Sequence, residues 1–270
     1  MIRNTQFSKK LAPVAGAALL AFAAVPSFAQ SSVTLFGIVD AGVRYVENGK
    51  DNSITSASSN GINTSRLGFR GVEDLGDGLK AGFWLETGFS PDTGTQSDST
   101  RFWNRRSTVS LSGKFGEVRL GRDYSPTYLA WFDFDTFGDN GIAAGGKFAV
   151  TLGSTADTLT RADNEVQYFT PTGLGGFYAN VSAAAGEGTS GKKYYGGRAG
   201  WAAGPLNISL GYSETSVTAA SNGDDKYKVG LFGASYDFGV VKVQGYFSQQ
   251  KYADLKMEVA NIGVLVPLGA

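Results

Sequence analysis

The side chains available for chemistry in this chain are mainly arginines, lysines and carboxylates, because histidine and cysteine are both absent from its 270 residues. Without cysteine there is no disulfide framework and no thiolate nucleophile. Without histidine, the Ser–His nucleophile pair, the usual zinc sites and the commonest general base are unavailable. A carboxylate pair of the glycosidase type is still possible, but no spacing of Asp or Glu points to one. The composition therefore predicts no enzyme activity, no metal and no cofactor.

Basic residues occupy one face of several segments in which apolar and polar residues alternate. Arg66 and Arg70 alternate with Leu67 and Phe69, and period two predicts strands with one apolar and one charged face. Such charges do not make or break bonds, but they concentrate and orient charged solutes. The same polar face is expected to carry Lys80, Arg106 and Arg119, and the longest connection, 123–160, carries Arg122 at its entry and then Asp133, Asp135 and Asp139.

The elements that would position these charges are strands joined by connections of alternating length. Short connections rich in Gly or Asp, as tight turns require, alternate with long loops along most of the chain. Short turns at one end and long loops at the other are typical of outer-membrane β-barrels. The pattern predicts twelve strands, at 33–45, 65–73, 79–89, 106–112, 117–122, 161–169, 177–185, 194–202, 206–214, 227–236, 240–248 and 257–266. It predicts the long loops at 47–64, 90–104, 123–160, 186–193, 215–225 and 249–256.

The first 29 residues have the features of a secretory signal. Three basic residues precede an apolar run at 11–25, and Ser27–Phe28–Ala29 supplies an A-x-A-like cleavage site. The apolar run of about 15 residues is shorter than the ~20 that a transmembrane helix needs. Cleavage would leave 21 of the 24 basic residues against 24 acidic ones, which argues against nucleic acid as a partner. The predicted mature domain is 30–270.

A membrane barrel is favoured over a secreted β-sandwich. A sandwich turns its polar faces to bulk water, where Lys, Glu, Gln and Thr would dominate, and it has no reason to alternate its loop lengths. In this sequence the polar faces carry Arg, Asp and many of the 38 glycines. Since no segment after residue 30 is long and apolar enough for a membrane-spanning helix, a membrane-embedded chain has to be a β-barrel.

Several motifs resemble general porins of β-proteobacteria, and the resemblance covers nearly all of the predicted mature chain. The motifs that carry it are residues 32–42 (SVTLFGIVDAG), 65–81 (SRLGFRGVEDLGDGLKA), 111–122 (LSGKFGEVRLGR), 236–239 (YDFG) and 266–269 (VPLG). The resemblance implies an all-β antiparallel porin barrel of the outer membrane, through which small hydrophilic solutes and ions diffuse. It further implies a homotrimer surrounded by outer-membrane lipid.

The resemblance also implies sixteen strands, with a third loop that folds inward and narrows the channel. Here that loop is 123–160, so Asp133, Asp135 and Asp139 would face the basic wall and set a transverse field across the passage. The basic wall suggests a mild preference for anions, which the loop acids oppose. Family members end in an aromatic residue, usually Phe, whereas this sequence ends in Gly269–Ala270. We therefore expect twelve of the sixteen strands, with the C-terminal four missing.

Alternative interpretations of these residues stay open at this point. Arg119 and Arg122 could pair with wall carboxylates such as Glu117, and Asp135 or Asp139 could cap turns. The whole chain could instead be a non-conducting barrel that acts as an adhesin or receptor through its loops, or a truncated porin without a pore.

Overall fold

The computed structural model describes residues 32–50, 52–141 and 144–268, and this part of the chain is almost entirely β-structure. The predicted signal, residues 1–29, lies outside it. The strands are β1 Ser32–Ile38, β2 Ala41–Val46, β3 Ile54–Ser59, β4 Arg66–Gly76, β5 Leu79–Ser90, β6 Thr95–Gln96, β7 Arg106–Gly113, β8 Gly116–Tyr124, β9 Arg161–Phe169, β10 Phe177–Ala184, β11 Tyr194–Ala203, β12 Leu206–Ser216, β13 Lys226–Asp237, β14 Lys242–Tyr252 and β15 Leu255–Leu265. Helix α1, Pro126–Phe134, and a 3-10 helix, Gly145–Phe148, lie between β8 and β9.

Twelve of these strands pair in a single antiparallel path, β1-β4-β5-β7-β8-β9-β10-β11-β12-β13-β14-β15. The short β6 pairs with the end of β5, and β2 and β3 form a separate hairpin. Within the described residues, β1 and β15 are the two edges of the sheet. The predicted all-β antiparallel fold is confirmed, and all twelve predicted strands are present. That four further strands belong at the C-terminus stays a prediction.

The two faces of the sheet differ as the alternation predicts. On β13, Tyr227, Val229 and Leu231 are buried on the inner face, whereas Phe232 points outward and is 47% exposed. An outward face that leaves large apolar side chains in contact with its surroundings is suited to lipid. The inner face packs against the β8–β9 connection instead.

The first predicted strand, 33–45, was wrong in its extent, because the chain bends after Ile38. The carboxylate of Asp40 accepts hydrogen bonds from the backbone N–H groups of Gly61, Ile62 and Asn63, at 3.0, 2.8 and 2.7 Å. These bonds hold the chain that follows β3 against the bend. The segment therefore forms β1 and β2, and β2 pairs with β3 inside the predicted loop 47–64.

The predicted loop 249–256 was also wrong. Strands β14 and β15 are joined by only two residues, Ala253 and Asp254, with Ala253 in the left-handed region at φ 52°. Tight hairpins need this backbone region, and Gly, Asn or Asp usually supply it. Alanine gave no turn signal here, so the sequence pattern overestimated the length of the connection.

Helix α1 was not predicted, although its start has a recognisable signal. The hydroxyl of Ser125 accepts a hydrogen bond from the backbone N–H of Tyr128, and Pro126 occupies the first turn. The buried residues include Thr127, Ala130, Trp131 and Phe134, at the spacing i, i+3, i+4, i+7 that defines one helix face. In the described residues, no helix is both long enough and apolar enough to cross a membrane.

The apolar face of α1 packs on the inner face of β11–β14, which we call the helix-docking wall. The aromatic ring of Phe134 covers Gly233 so closely that a Cβ built on that glycine would lie 2.1 Å from it. Trp131 meets Tyr246 edge-on at 6.0 Å, and the hydroxyls of Thr127 and Ser213 are 3.2 Å apart. The β8–β9 connection, residues 125–160, thus contacts strands that lie far along the sheet from β8 and β9.

Candidate functional site

The inner face of β4–β9 carries a cluster of guanidinium groups, which we call the arginine wall. Strand alternation brings those within the strands to one face, because residues two apart on a strand point the same way. Arg105 precedes β7 and reaches the same face through its bond to Glu86. Cross-strand pairing then sets neighbouring strands side by side, with Arg106 of β7 opposite Glu86 of β5. The wall consists of Arg66, Arg70, Arg105, Arg106, Arg119 and Arg161.

Three carboxylates neutralise part of this charge. Glu86 accepts from Arg105 at 2.5 Å and lies 3.7 Å from Arg66, so one acid serves two arginines.

Asp123 is shared in the same way, by Arg119 at 2.7 Å and Arg106 at 3.4 Å, and Glu117 lies 2.9 Å from Arg119. Among the described residues, Arg70 and Arg161 have no carboxylate partner. A fourth acid of this face, Glu165 of β9, is buried and accepts from the Ser182 hydroxyl at 2.6 Å. Six arginines therefore face four acids, and the wall keeps a positive excess.

Aromatic rings, in addition to acids, hold several of the guanidinium groups. Arg70 lies over Trp84 at 5.2 Å, and Arg106 lies over the same ring at 4.5 Å. Arg161 lies 4.2 Å from the ring of Tyr124. A ring face attracts a guanidinium without cancelling its charge. These contacts therefore fix the arginines while leaving them available to attract anions.

A cavity of about 450 Å³ separates the arginine wall from the β8–β9 connection. Tyr128 joins the two sides, since its ring stacks on Tyr124 at 4.7 Å with an interplanar angle of 18°. The side chains that line the cavity from the strands include Arg66, Trp84, Glu86, Arg105, Arg106 and Arg161, and those from the connection include Tyr128, Leu129, Phe132, Asp139 and Asn140. One side of the space is thus strongly basic and the other mostly aromatic and polar.

The three predicted loop aspartates have separate positions. Asp139 lines the cavity, where it accepts from the Tyr128 hydroxyl at 2.5 Å and from the Gly146 N–H at 2.9 Å. Asp135 is buried and accepts from the Asp139 N–H at 2.7 Å, which closes a turn. Asp133 pairs with Arg198 of β11. Among the described residues of the loop, Asp139 is the one acid that lines the cavity.

The phenol of Tyr128 stays protonated in this arrangement. Burial, then the neighbouring Tyr124, then the hydrogen bond to Asp139 raise the pKa of Tyr128 well above its usual value. A protonated phenol keeps donating to Asp139. The bond therefore holds the aromatic side of the cavity in place.

The predicted basic residues also differ in position. Arg66 and Arg106 line the cavity, and Arg70 and Arg119 belong to the wall around it. Lys80 is exposed near the turn end of β5, opposite Ser112. The remaining one, Arg122, binds Asp163 at 2.6 Å and donates to the Asn104 carbonyl at 2.7 Å. The pairing considered for Arg119 with Glu117 is present.

Sequence reasoning missed Arg105, Arg161, Arg198 and Tyr128. Arg105 precedes its strand, and Arg161 is the first residue of the predicted strand 161–169, where no earlier residue sets the face to which it belongs. Arg198 lies between small residues that hid the alternation of β11. Tyr128 follows the Ser125 cap, which was the one local signal that a helix would present it.

The far part of the β8–β9 connection is anchored to the inner face of β13 and β14. The fully buried Gln250 amide accepts from the Val150 N–H at 2.8 Å and donates to the Phe148 carbonyl at 3.0 Å. The Tyr227 hydroxyl donates to the Val150 carbonyl at 2.6 Å. Helix α1 and this anchor hold the connection at two separate places.

Comparison with known proteins agrees with this geometry. A family model described as Gram-negative porin matches residues 15–270. Outer membrane porin protein 32 of Delftia acidovorans is 42% identical over 258 residues, which is 90% of this chain and 72% of that protein. An outer membrane porin protein of Bordetella pertussis is 33% identical, over 87% of this chain and 70% of that protein.

Solved structures show the same fold. An anion-selective porin from Comamonas acidovorans superposes with a TM-score of 0.79 at 41% identity, over 88% of this chain and 75% of that one. A loop-deletion variant of an outer membrane protein of Vibrio cholerae superposes with a TM-score of 0.66 at 13% identity, over 89% of this chain and 78% of that one. The second likeness is one of fold alone.

Proposed function

The chain belongs to the Gram-negative porin family, and from this premise we propose that the cavity beside the arginine wall is the narrowest part of its channel. Porins are outer-membrane channels for small hydrophilic solutes and are not enzymes, so this chain acts in the outer membrane by passive diffusion. The proposal adds which residues select among the solutes. We further propose that residues 1–29 are a signal that is removed on export.

The β8–β9 connection supports the role of a constriction. It leaves β8, reaches the helix-docking wall through α1, and is anchored again at Gln250 before it returns to β9. A segment held against the inner face at two places reduces the free cross-section beside it. Solutes would pass between Tyr128, Phe132 and Asp139 on one side and the arginine wall on the other.

The excess of arginines supports selectivity for anions, and this is the single observation that carries the proposal. Charges that line a narrow passage with low-dielectric walls raise the local concentration of the opposite ion. Six arginines against the four wall carboxyls, Glu165 included, and Asp139 leave the passage positive. A related solved structure is named an anion-selective porin, and the same selectivity is proposed here.

A trimer is also proposed, as the natural assembly of a porin. Outward apolar residues such as Leu35, Phe69 and Phe83 on β1, β4 and β5 are exposed in the single chain. These side chains would be covered either by neighbouring subunits or by lipid. Crosslinking of the protein in outer membranes, followed by electrophoresis, would give a band of three chains.

Reversal potentials in a planar bilayer under a KCl gradient test the selectivity. The wild-type potential should have the sign of a chloride-selective channel. Arg106→Gln combined with Arg161→Gln should shift the reversal potential toward that of a potassium-selective channel, because two positive charges are removed from the passage. Arg44→Gln, on the exposed β2–β3 hairpin, is the matched control and should leave the potential unchanged.

Two results would overturn the proposal. Cation selectivity in the wild type would mean that the acidic groups dominate. Absence of conductance steps from folded, inserted protein would leave a non-conducting barrel.

A further inference from the structure

The outward residues of β11–β15 lie in cross-strand rows, and the rows change character along the strands. Near the middle of the strands the rows are apolar, with large exposed side chains such as Leu210 at 64%. One row consists of Ala199, Leu210, Phe232, Phe247 and Ala260. The next row toward the short turns consists of Trp201, Ile208, Ala234, Gly245 and Ile262. These rows form a surface for acyl chains.

Toward the long loops the rows become polar and then charged. The row two residues from the Phe232 row consists of Gly197, Tyr212, Gly230, Gln249 and Glu258. The row two residues further toward the long loops consists of Tyr195, Glu214, Lys228, Lys251 and Lys256. Residues rise about 3.3 Å along a strand. The charged row therefore lies about 13 Å along the strands from the Phe232 row.

Three lysines in the charged row, which we call the lysine row, are direct cross-strand neighbours. Lys228 pairs in register with Lys251, and Lys251 pairs with Lys256. Like charges directly opposite each other on a sheet are destabilising. An anionic group bound across the three ammonium groups would remove this repulsion.

The nearby acids, Glu214 and Glu258, balance only part of the charge of the three lysines. Glu214 lies opposite Lys228, but its two carboxylate oxygens accept from the hydroxyls of Tyr195 and Tyr212. Glu258 lies 3.2 Å from Lys256 and also accepts from Gln249.

A fourth lysine, Lys226, bonds to Ser216 at 2.9 Å and lies 3.9 Å from Asp225. Among the described residues, Lys228 and Lys251 have no ion pair and no side-chain hydrogen bond. Their ammonium groups are therefore available to an external anion.

We propose that the lysine row binds the phosphate groups of an outer-leaflet lipid whose acyl chains cover the apolar rows below. Phosphate oxygens accept strong, charge-assisted hydrogen bonds from ammonium groups. Lysine stems lie along apolar surface while the charged ends reach the interface. An amphiphile with an anionic head matches both the charge and the order of these rows. The site is separate from the channel and does not depend on its selectivity.

Binding of lipid A to the full-length porin in a non-ionic detergent tests the proposal. The probes are lipid A with both phosphates, fully dephosphorylated lipid A, and inorganic phosphate alone. Retained lipid is counted by native mass spectrometry, and the thermal midpoint is recorded. Bisphosphorylated lipid A should bind and raise the midpoint by about 2–4 °C, whereas the dephosphorylated lipid should give neither effect.

The variant Lys228→Gln/Lys251→Gln/Lys256→Gln distinguishes lipid binding from a merely structural role. Its thermal midpoint, compared with that of the wild type, should depend on whether the lipid is present. Without lipid its midpoint should equal or exceed that of the wild type, because the like-charge repulsion is gone. With bisphosphorylated lipid A it should lose at least tenfold in affinity and melt below the wild type. Lys114→Gln, in the turn at the other end of the sheet, is the control and should behave as the wild type does.

Three outcomes would overturn the proposal. The triple variant could bind the lipid as well as the wild type does. Inorganic phosphate alone could give the full rise in midpoint, which would mean an adventitious ion only. The triple substitution could change the oligomeric state in detergent, which would make the row a subunit contact.

Discussion

The arginine wall on β4–β9 and the helix-docking wall on β11–β14 have the same backbone geometry and opposite side-chain chemistry. Both are inner faces of one antiparallel sheet, generated by the same alternation. The first keeps arginines such as Arg70 without an acid partner in the described residues, whereas the second presents small or uncharged groups such as Gly233 and Ser213 to α1. An inner face that borders a water-filled space can stay charged, but a face covered by a helix has to be shaped to fit it.

The difference shows that the inner face of this sheet is not uniform across its strands. Under the proposed function, charge on the arginine wall selects solutes only because the other wall holds the β8–β9 connection opposite it. The proposal therefore makes the docking wall as important for selectivity as the arginines are, although that wall bears little charge. Substitutions on each wall separate the effect of the arginine charge from the effect of holding the β8–β9 connection in place.

The largest effect is expected from Glu86→Gln on the arginine wall. The substitution removes the acid shared by Arg66 and Arg105 and should cost about 2–3 kcal/mol of stability, less than in a dry interior because the arginines reach the cavity. It should also increase chloride preference in the reversal potential. Glu187→Gln, in the loop before β11, is the control. A channel that became less selective for chloride would contradict the role given to the wall.

The next effect is expected from Gly233→Val on the docking wall. The new side chain would meet the ring of Phe134, and overpacking of this kind costs about 1–3 kcal/mol. Displaced from its wall, α1 should move into the passage and lower the single-channel conductance. Gly230→Val, which points outward with no atom within 4 Å of its Cβ position, should leave conductance unchanged. Equal conductance in both variants would show that α1 does not narrow the channel.

A smaller effect is expected from Gln250→Leu at the second anchor. Loss of the amide leaves the Val150 N–H and the Phe148 carbonyl without their partners. This loss should lower the stability of the folded protein by about 1–2 kcal/mol. The loosened connection should increase open-channel current noise, with selectivity nearly unchanged. Gln249→Leu changes the same chemistry on the outward face. The anchor would have no role if the two variants gave the same noise.

The smallest effect concerns Asp98, in the loop between β6 and β7. Hydrogen bonds from the hydroxyl and N–H of Thr100, and then those from Arg101, lower the pKa of Asp98 to about 2. A lowered pKa means that the carboxylate stabilises the folded state above its unfolded value of 3.8 and that this contribution is lost as pH falls through about 2.

The thermal midpoint of Asp98→Asn should therefore lie slightly below that of the wild type at pH 5. The two midpoints should converge between pH 4 and pH 2. Asp77→Asn, in the turn between β4 and β5, is the control. A difference between the two midpoints that grew as the pH fell would show that the pKa of Asp98 is not lowered in the folded state.

Much of the fold was predictable because period-two alternation is a local property of each strand. It placed all twelve strands of the main path, and with them Arg66, Arg70, Arg106 and Arg119. It failed where one side chain, that of Asp40, set the backbone through hydrogen bonds to a distant segment, and where Ala253 made a turn without the usual residues. It also gave no means to find Arg198, whose partner Asp133 lies 65 residues away.

The sequence by itself determined the all-β architecture, the charged inner face and the absence of histidine and cysteine chemistry, because these depend on composition and on neighbouring residues. Only the tertiary structure decided which charges share the cavity. Asp133, Asp135 and Asp139 are close in sequence, yet one pairs with β11, one is buried in a turn, and one lines the cavity. Their positions follow from where α1 docks, and that depends on glycine and small side chains in strands about a hundred residues further along the chain.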